Sequence, residues 1–242
     1  LWDEIFRMCR VDQADCLTVW QHHNESLKKR AAYLNQLKVK QLHFLGNGTD
    51  LTVSLSPQAV FKGGTDQSPR GVDFEPNLPT EEVFTTPDWR GTSGIVRTTR
   101  PFLINGKLVQ DLVLEFRAGE IVNFTARCGE DTFREYIASD EGAKRLGEVA
   151  LVGIDSPVFQ SGLVFQEILF DENAACHLAV GQAYKFCIEG GTTMSGAELE
   201  AIGCNDSTVH TDMMISDENT NVTATSYDEK ETVLIRRGCW EI

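Results

Sequence analysis

Apolar residues recur at helical spacing over residues 1 to about 38. Leu1, Ile5, Met8 and Cys9 are followed by Leu17, Trp20, Leu27, Ala31, Leu34 and Leu37, which predicts a long helical lead-in. From residue 41 the period changes to two. Leu42 and Phe44 flank His43, a Gly48-Thr49-Asp50 turn follows, and Leu51, Val53 and Leu55 complete a predicted hairpin. Gly, Pro and Asp crowd residues 62–80, which predicts a long surface loop. Strands are then expected at Ile95–Thr99, at Leu108–Leu114 after Asn105-Gly106, and at Ile121–Ala126 after Ala118-Gly119. Three alternating runs separated by turns form an antiparallel meander.

Helical pattern returns at Asp131–Ile137 and Asp140–Leu146, ahead of a short apolar run at Val149–Ile154. A helix is predicted over about 174–187, and strands near Val209–Ile215 and Thr232–Arg236. No internal repeat is present, and the mixture reads as α+β: a mixed, largely antiparallel sheet with flanking helices. The expected organisation is a single unit over 1–242, with a helical lead-in over 1–40 and a mixed body over 41–242.

Charge narrows the function classes. The 22 Lys+Arg against 36 Asp+Glu leave a formal net charge of −14, which argues against a nucleic-acid binder. No apolar run reaches the roughly 18 residues a bilayer span needs, so no membrane association is expected. The opening Leu1-Trp2-Asp3 shows no initiator Met and no signal peptide, so the expectation is a processed chain or part of a longer protein. Seven cysteines without CxxC spacing suggest reduced thiols and a cytoplasmic setting. Asn24, Asn47, Asn123, Asn205 and Asn221 each head an N-x-S/T sequon. Turn and strand-end chemistry is favoured over glycosylation, because the cysteines point to a reducing compartment.

Four stretches could carry chemistry. In Asp171-Glu172-Asn173-Ala174-Ala175-Cys176-His177, an Asn173 cap would put Glu172 and His177 at facing positions of a helix start. Tyr184 would then lie two turns further along the same face. In Val209-His210-Thr211-Asp212, strand geometry puts His210 and Asp212 side by side, a weak metal pair on its own. Glu81-Glu82 lies between Pro79 and Pro87 among apolar residues, and Glu148 sits where a helix is expected to feed an apolar strand. A charge beside a buried run needs a partner, commonly a cation. The alternative for each is structural: a capped surface helix, an ordinary strand face, a core His or Tyr. Cys176 beside His177 is ranked as packing, since neighbours on a helix point about 100° apart. Gly190-Gly191 belongs to no phosphate-loop signature.

The runs LPTEEVFTTP, GEVAL, FDENAACHLAVGQAY and VHTDMMI, in this order between residues 70 and 216, resemble the M29 family of metalloaminopeptidases. The resemblance implies the C-terminal part of a two-domain α/β enzyme, with the family's N-terminal domain absent and a homodimer in the full-length form. It matches Glu82, Glu148, Glu172, His177, His210 and Asp212 to metal ligands, with Glu148 bridging, and Tyr184 to a catalytic tyrosine. Four carboxylates and two imidazoles suit two divalent ions, Zn, Co or Mn. Two such ions could share a bridging hydroxide as nucleophile, with Tyr184 hydrogen-bonding the oxyanion. Glu81 is expected either to shuttle a proton to the leaving amine or only to orient its neighbour. The expected activity is release of N-terminal residues from peptides with a free N-terminus. The alternatives are another two-metal hydrolase, such as a phosphoesterase, and an inert metal-binding or oligomerisation fragment.

Overall fold

The computed structural model describes residues 1–242. Its helical lead-in is two helices, not one: α1 (Trp2–Met8) and α2 (Cys16–Leu37), with Arg10 at φ 55° in the reversal between them. The break has a local cause. The Asp15 carboxylate accepts a hydrogen bond from the Thr18 N–H at 3.2 Å, so a new helix start is capped there. α2 buries Trp20, Asn24, Leu27, Ala31 and Leu34 along one stripe and stops at Lys38, at φ 51°.

β1 (Val39–Gly46) and β2 (Thr49–Ser54) form the expected hairpin, turning one residue earlier than predicted, at Asn47-Gly48. Phe44 faces Leu51 and Leu42 faces Val53, and all four are fully buried. The long loop holds only a small ribbon, Asp66–Gln67 against Asp73–Phe74. β3 (Val83–Thr85), β4 (Ser93–Arg97), β5 (Val113–Arg117) and β6 (Glu120–Thr125) follow. The expected strand over 108–114 is divided. Lys107–Val109 pairs with Phe102–Ile104, and the chain turns at Asp111, φ 52°, before β5 begins.

α3 (Glu130–Tyr136) lies where the pattern puts it, but the expected helix over 140–146 is only a 3-10 turn at Gly142–Lys144. Asp140 accepts from the Ala143 and Thr208 N–H groups, and a Cβ on Gly142 would sit 1.9 Å from the Asp206 carbonyl oxygen. The chain is therefore pinned against the 206–208 segment, and β7 (Leu146–Leu151) starts at once.

The helix expected over 174–187 is absent. The chain runs through a 3-10 turn, Glu172–Ala174, into β8 (His177–Gly181), which is buried at every position and paired on both edges. A short apolar run buried on both faces has no periodicity that separates strand from helix. Pairing with β7 and with β9 (His210–Met214) decides the matter. β10 (Asn221–Ser226), β11 (Glu231–Arg236) and β12 (Cys239–Trp240) complete the chain.

The strands assemble into two main antiparallel sheets. The larger has the order β6-β5-β4-β2-β1-β10-β11-β12, the smaller β9-β8-β7-β3. One apolar cluster joins α2, both sheets and α3, with Phe44, Leu114, Phe133, Leu151 and Leu178 among its buried members. The fold is thus mixed α and β with largely antiparallel sheets, as the pattern predicts. No helix is long and apolar enough to cross a membrane. All seven cysteines are free thiols.

Candidate metal centre

The smaller sheet collects the chemistry on one face. Register sets Glu148 of β7 opposite Ala179 of β8, and Ala179 opposite Asp212 of β9. Residues two apart on a strand share a face, so His177 joins that row from β8 and His210 from β9. Glu82 immediately precedes β3 and has the same parity, since Val83 pairs with Leu151 and Phe84 with Ala150. In β8 the face is occupied by His177, Ala179 and Gly181, while Leu178 and Val180 fill the core behind. Ala179 leaves open the space between Glu148 and Asp212 that a larger side chain would fill.

Glu82, Glu148, Glu172 and Asp212 are each 4–7% exposed, and none pairs with a lysine or arginine. Their neighbours are the two imidazoles. His177 Nε2 lies 3.1 Å from Glu82 Oε2 and 4.0 Å from Glu148 Oε1, and His210 Nε2 lies 3.4 Å from Glu148 Oε2 and 3.5 Å from Asp212 Oδ1. Each ring is oriented by a backbone carbonyl: Nδ1–H of His177 donates to Ala175 O at 3.1 Å, and Nδ1–H of His210 to Gln182 O at 2.8 Å. That arrangement aims both Nε2 atoms into the cluster, the usual way a metal-binding imidazole is held.

Proton affinities reflect this crowding. Burial, then repulsion from Asp212 and Glu82, raises the Glu148 carboxyl to about 7 against the hydrogen bond from His210. Burial and the charges of Glu82 and Asp212 raise Glu172 to about 9. Burial opposes a charged His177, but its hydrogen bond to Glu82 and the surrounding carboxylates outweigh that and raise it well above its ordinary value. His210 is raised to about 10 in the same balance, by Asp212 and Glu148. Four buried carboxylates with no lysine or arginine among them are met here only by two imidazoles that take up protons, and a divalent cation would replace those protons. Two sets of ligand atoms meet the distances for one, each lying within 4.8 Å of one another: Glu82, Glu148 and His177, and Glu148, His210 and Asp212. Glu148 belongs to both, and the oxygen-rich, thiol-free donor set fits a divalent ion.

Glu172 stands outside those two sets, although its carboxyl feels the same charges. The chain reaches His177 from Glu172 by a turn and a strand start, not across a helix cap. Tyr184 comes after the reversal at Gly181, where φ is 103°. Its hydroxyl is 3.4 Å from His210 Nε2, and its ring stacks on Phe186 with centroids 5.1 Å apart. Thr86 Oγ1 donates to Tyr184 O at 2.8 Å and accepts from Tyr184 N–H at 3.1 Å, tying the tyrosine to the segment after β3. Glu81 points elsewhere. Both its oxygens accept from the Arg10 guanidinium, at 2.5 and 3.0 Å, and His23 Nε2 lies 3.7 Å away. Cys176 faces the opposite way from His177, with its thiol donating to Val152 O at 3.3 Å.

Sequence reasoning missed the supports. Buried Asn173 accepts from the Glu81 N–H at 2.7 Å and donates to Leu169 O at 3.0 Å, so one side chain ties the segment before Glu82 to the turn bearing Glu172. Asn205, 3% exposed, donates to Gly142 O and Gly181 O, at 2.8 and 2.7 Å, and holds the end of β8. Asn24 is also buried and donates to Glu75. Two of the five sequon asparagines therefore act as internal hydrogen-bond donors. The one advance signal was the small-residue alternation His177, Ala179, Gly181.

An antiparallel sheet presenting buried carboxylates and two oriented imidazoles on one face is a group of side chains that could hold a metal ion. Comparison with known proteins supplies the class: residues 1–240 match the family described as thermophilic metalloprotease (M29), and the chain belongs to that family. It is 45% identical over 240 residues to aminopeptidase 2 of Geobacillus stearothermophilus, covering 99% of this chain and 58% of that one. It is also 45% identical over 242 residues to aminopeptidase T of Thermus aquaticus, covering 100% of this chain and 59% of that one. Among solved structures, wild-type AmpT from Thermus thermophilus superposes with a TM-score of 0.88 at 44% identity, covering 93% of this chain and 55% of that one. A 2,5-dihydroxypridine dioxygenase from Pseudomonas putida KT2440 shares the fold at TM-score 0.59 and 14% identity. The chain thus spans less than three-fifths of the length of the curated relatives cited.

Proposed function

We propose that this chain is the metal-bearing part of a two-domain aminopeptidase, which releases N-terminal residues from peptides with a free N-terminus. The observation that carries the reading is Glu148, the carboxylate common to both ligand sets. It supports two divalent ions, Zn, Co or Mn, of which Glu82, Glu148 and His177 would hold one and Glu148, His210 and Asp212 the other. Glu172 adds a further carboxylate facing them. Such ions would polarise a scissile carbonyl and lower the pKa of bound water, so that hydroxide is available near neutral pH.

The chain's own residues do the remainder. Burial, then the surrounding carboxylates, raises the Tyr184 hydroxyl, so it stays protonated and can donate to the oxygen that gains charge. Gln182 O and Ala175 O keep the imidazoles in the ligating tautomer. Glu81, with both oxygens held by Arg10 and turned away from the cluster, is poorly placed to shuttle a proton in this arrangement. The free thiols support a reducing compartment, the cytoplasm.

The test is metal-dependent hydrolysis of leucine p-nitroanilide by the full-length enzyme. EDTA should abolish it, Co, Mn or Zn should restore it, and elemental analysis should find two ions per chain. Glu148→Gln should remove activity and much of the metal. Undiminished activity in that variant would refute the shared-carboxylate role.

A further inference from the structure

A cavity of about 960 Å³ is lined by none of the six candidate ligands but meets the candidate metal centre through Tyr184, whose hydroxyl is 3.4 Å from His210 Nε2, and through Gln182, whose carbonyl orients the His210 ring. It lies at the upper end of the roughly 300–1,000 Å³ that holds a whole drug-sized ligand, more than one amino-acid side chain requires. Under the aminopeptidase reading, on which this inference rests, a substrate ends at the metals and continues only past the scissile bond. A multi-residue space beside Tyr184 is therefore suited to the leaving peptide.

The lining has a definite chemistry. Phe186 stacks on Tyr184, and Phe84 meets both rings edge-on, yet Phe186 remains 44% exposed. The other large aromatic in the cavity, Trp89, already has the Arg145 guanidinium 4.0 Å from its ring centroid. Met194 and Leu199 pack on the small apolar cluster of Ala183, Ile188 and Cys204. Phe186 is thus the aromatic face left for a ligand. Three further lining carboxylates, Glu141, Glu200 and Asp206, make no ion pair, whereas Asp140 is engaged by Ser207 and Thr208. Arg145 is paired with Glu120 at 2.8 Å, so Lys185 is the unpaired cation among the lining residues.

We infer that this cavity is the subsite for the leaving peptide. Phe186 selects a large apolar or aromatic residue directly after the scissile bond, and the carboxylates favour a cation beyond it. Phe186 is in that sense a specificity-determining residue.

The experiment compares kcat/KM for Leu-Phe-Lys, Leu-Gly-Lys and Leu-Phe-Glu, at low ionic strength, in the full-length wild type, Phe186→Ala and Glu200→Lys. Phe186→Ala should lower the Leu-Phe-Lys to Leu-Gly-Lys ratio about tenfold or more, since one methylene in an apolar pocket is already worth roughly tenfold. Glu200→Lys should shift the Leu-Phe-Lys to Leu-Phe-Glu ratio several-fold toward the acidic peptide. Because Phe186 also supports Tyr184, an equal loss on the Phe and Gly peptides would mean support only and would overturn the inference. A ratio that instead follows the N-terminal residue, tested with Phe-Gly-Lys, would overturn it too. An unchanged Lys to Glu ratio in Glu200→Lys would overturn the charge preference. Absence of metal-dependent hydrolysis of every peptide by the wild type would sink the aminopeptidase reading itself, a separate result.

Discussion

Stripped of cations, the protein should lose stability as the pH rises, and divalent metal should restore it. Glu148 and Glu172 are raised from 4.5 to about 7 and about 9, and His210 from 6.5 to about 10. Each is raised on folding, so between the unfolded and folded values the native state holds more protons than the unfolded chain, and stability falls with pH. The contribution is complete below the unfolded values and is lost as the pH passes the folded ones. For fully buried Glu148 alone, going from 4.5 to about 7 corresponds to about 3 kcal/mol. The groups share protons, so their effects do not add. About 2 kcal/mol of the Glu148 contribution is lost between pH 5.5 and 8.5, and for a chain of this length each kcal/mol moves Tm by about 2–4 °C, giving a fall of about 4–8 °C from this residue. Metal present at a hundredfold over its Kd returns about 2.7 kcal/mol, by replacing the protons that hold the carboxylates together. The assay is a thermal melt of EDTA-treated, dialysed enzyme at pH 5.5, 7 and 8.5, with and without Zn, Mn or Co. A metal-free Tm that is flat or rises over this range would refute the reasoning, as would an equal metal shift in Glu148→Gln.

Two further substitutions probe the supports. A Cβ on Gly181 would lie 2.0 Å from Val209 O, at a φ of 103°. Gly181→Ala should therefore displace the start of β9, weakening metal uptake by isothermal titration and costing about 1–3 kcal/mol of stability; wild-type affinity would show that His210 is positioned independently. Arg10→Met leaves Glu81, whose side chain is 8% exposed, with only His23 at 3.7 Å beside it, and should destabilise by up to about 3–5 kcal/mol. Adding Glu81→Gln should recover much of that loss in chemical denaturation, and no recovery would show that Arg10 acts through other contacts.

The amount of the site legible in the sequence depended on how local each relationship was. His210-x-Asp212 puts two side chains on one face in any strand, and the structure keeps them there. The β1–β2 hairpin was equally local, fixed by Asn47-Gly48 between alternating apolar residues. The segment from Glu172 to Tyr184 was not. His177–Gly181 is apolar, short and buried on both faces, and only hydrogen bonding to β7 and β9 makes it a strand. The sequence chose the carboxylates, the imidazoles, and the glycine and alanine that leave room between them. Tertiary structure decided that Ala179 stands between Glu148 and Asp212, that Asn173 binds the Glu82 segment to the Glu172 turn, and that Glu81 turns to Arg10 instead of the cluster. Residues 71 positions apart, as Arg10 and Glu81 are, meet only after the chain between them has folded. Local pattern carries no information about that meeting, because its free energy comes from burial and pairing that do not exist until the sheets close.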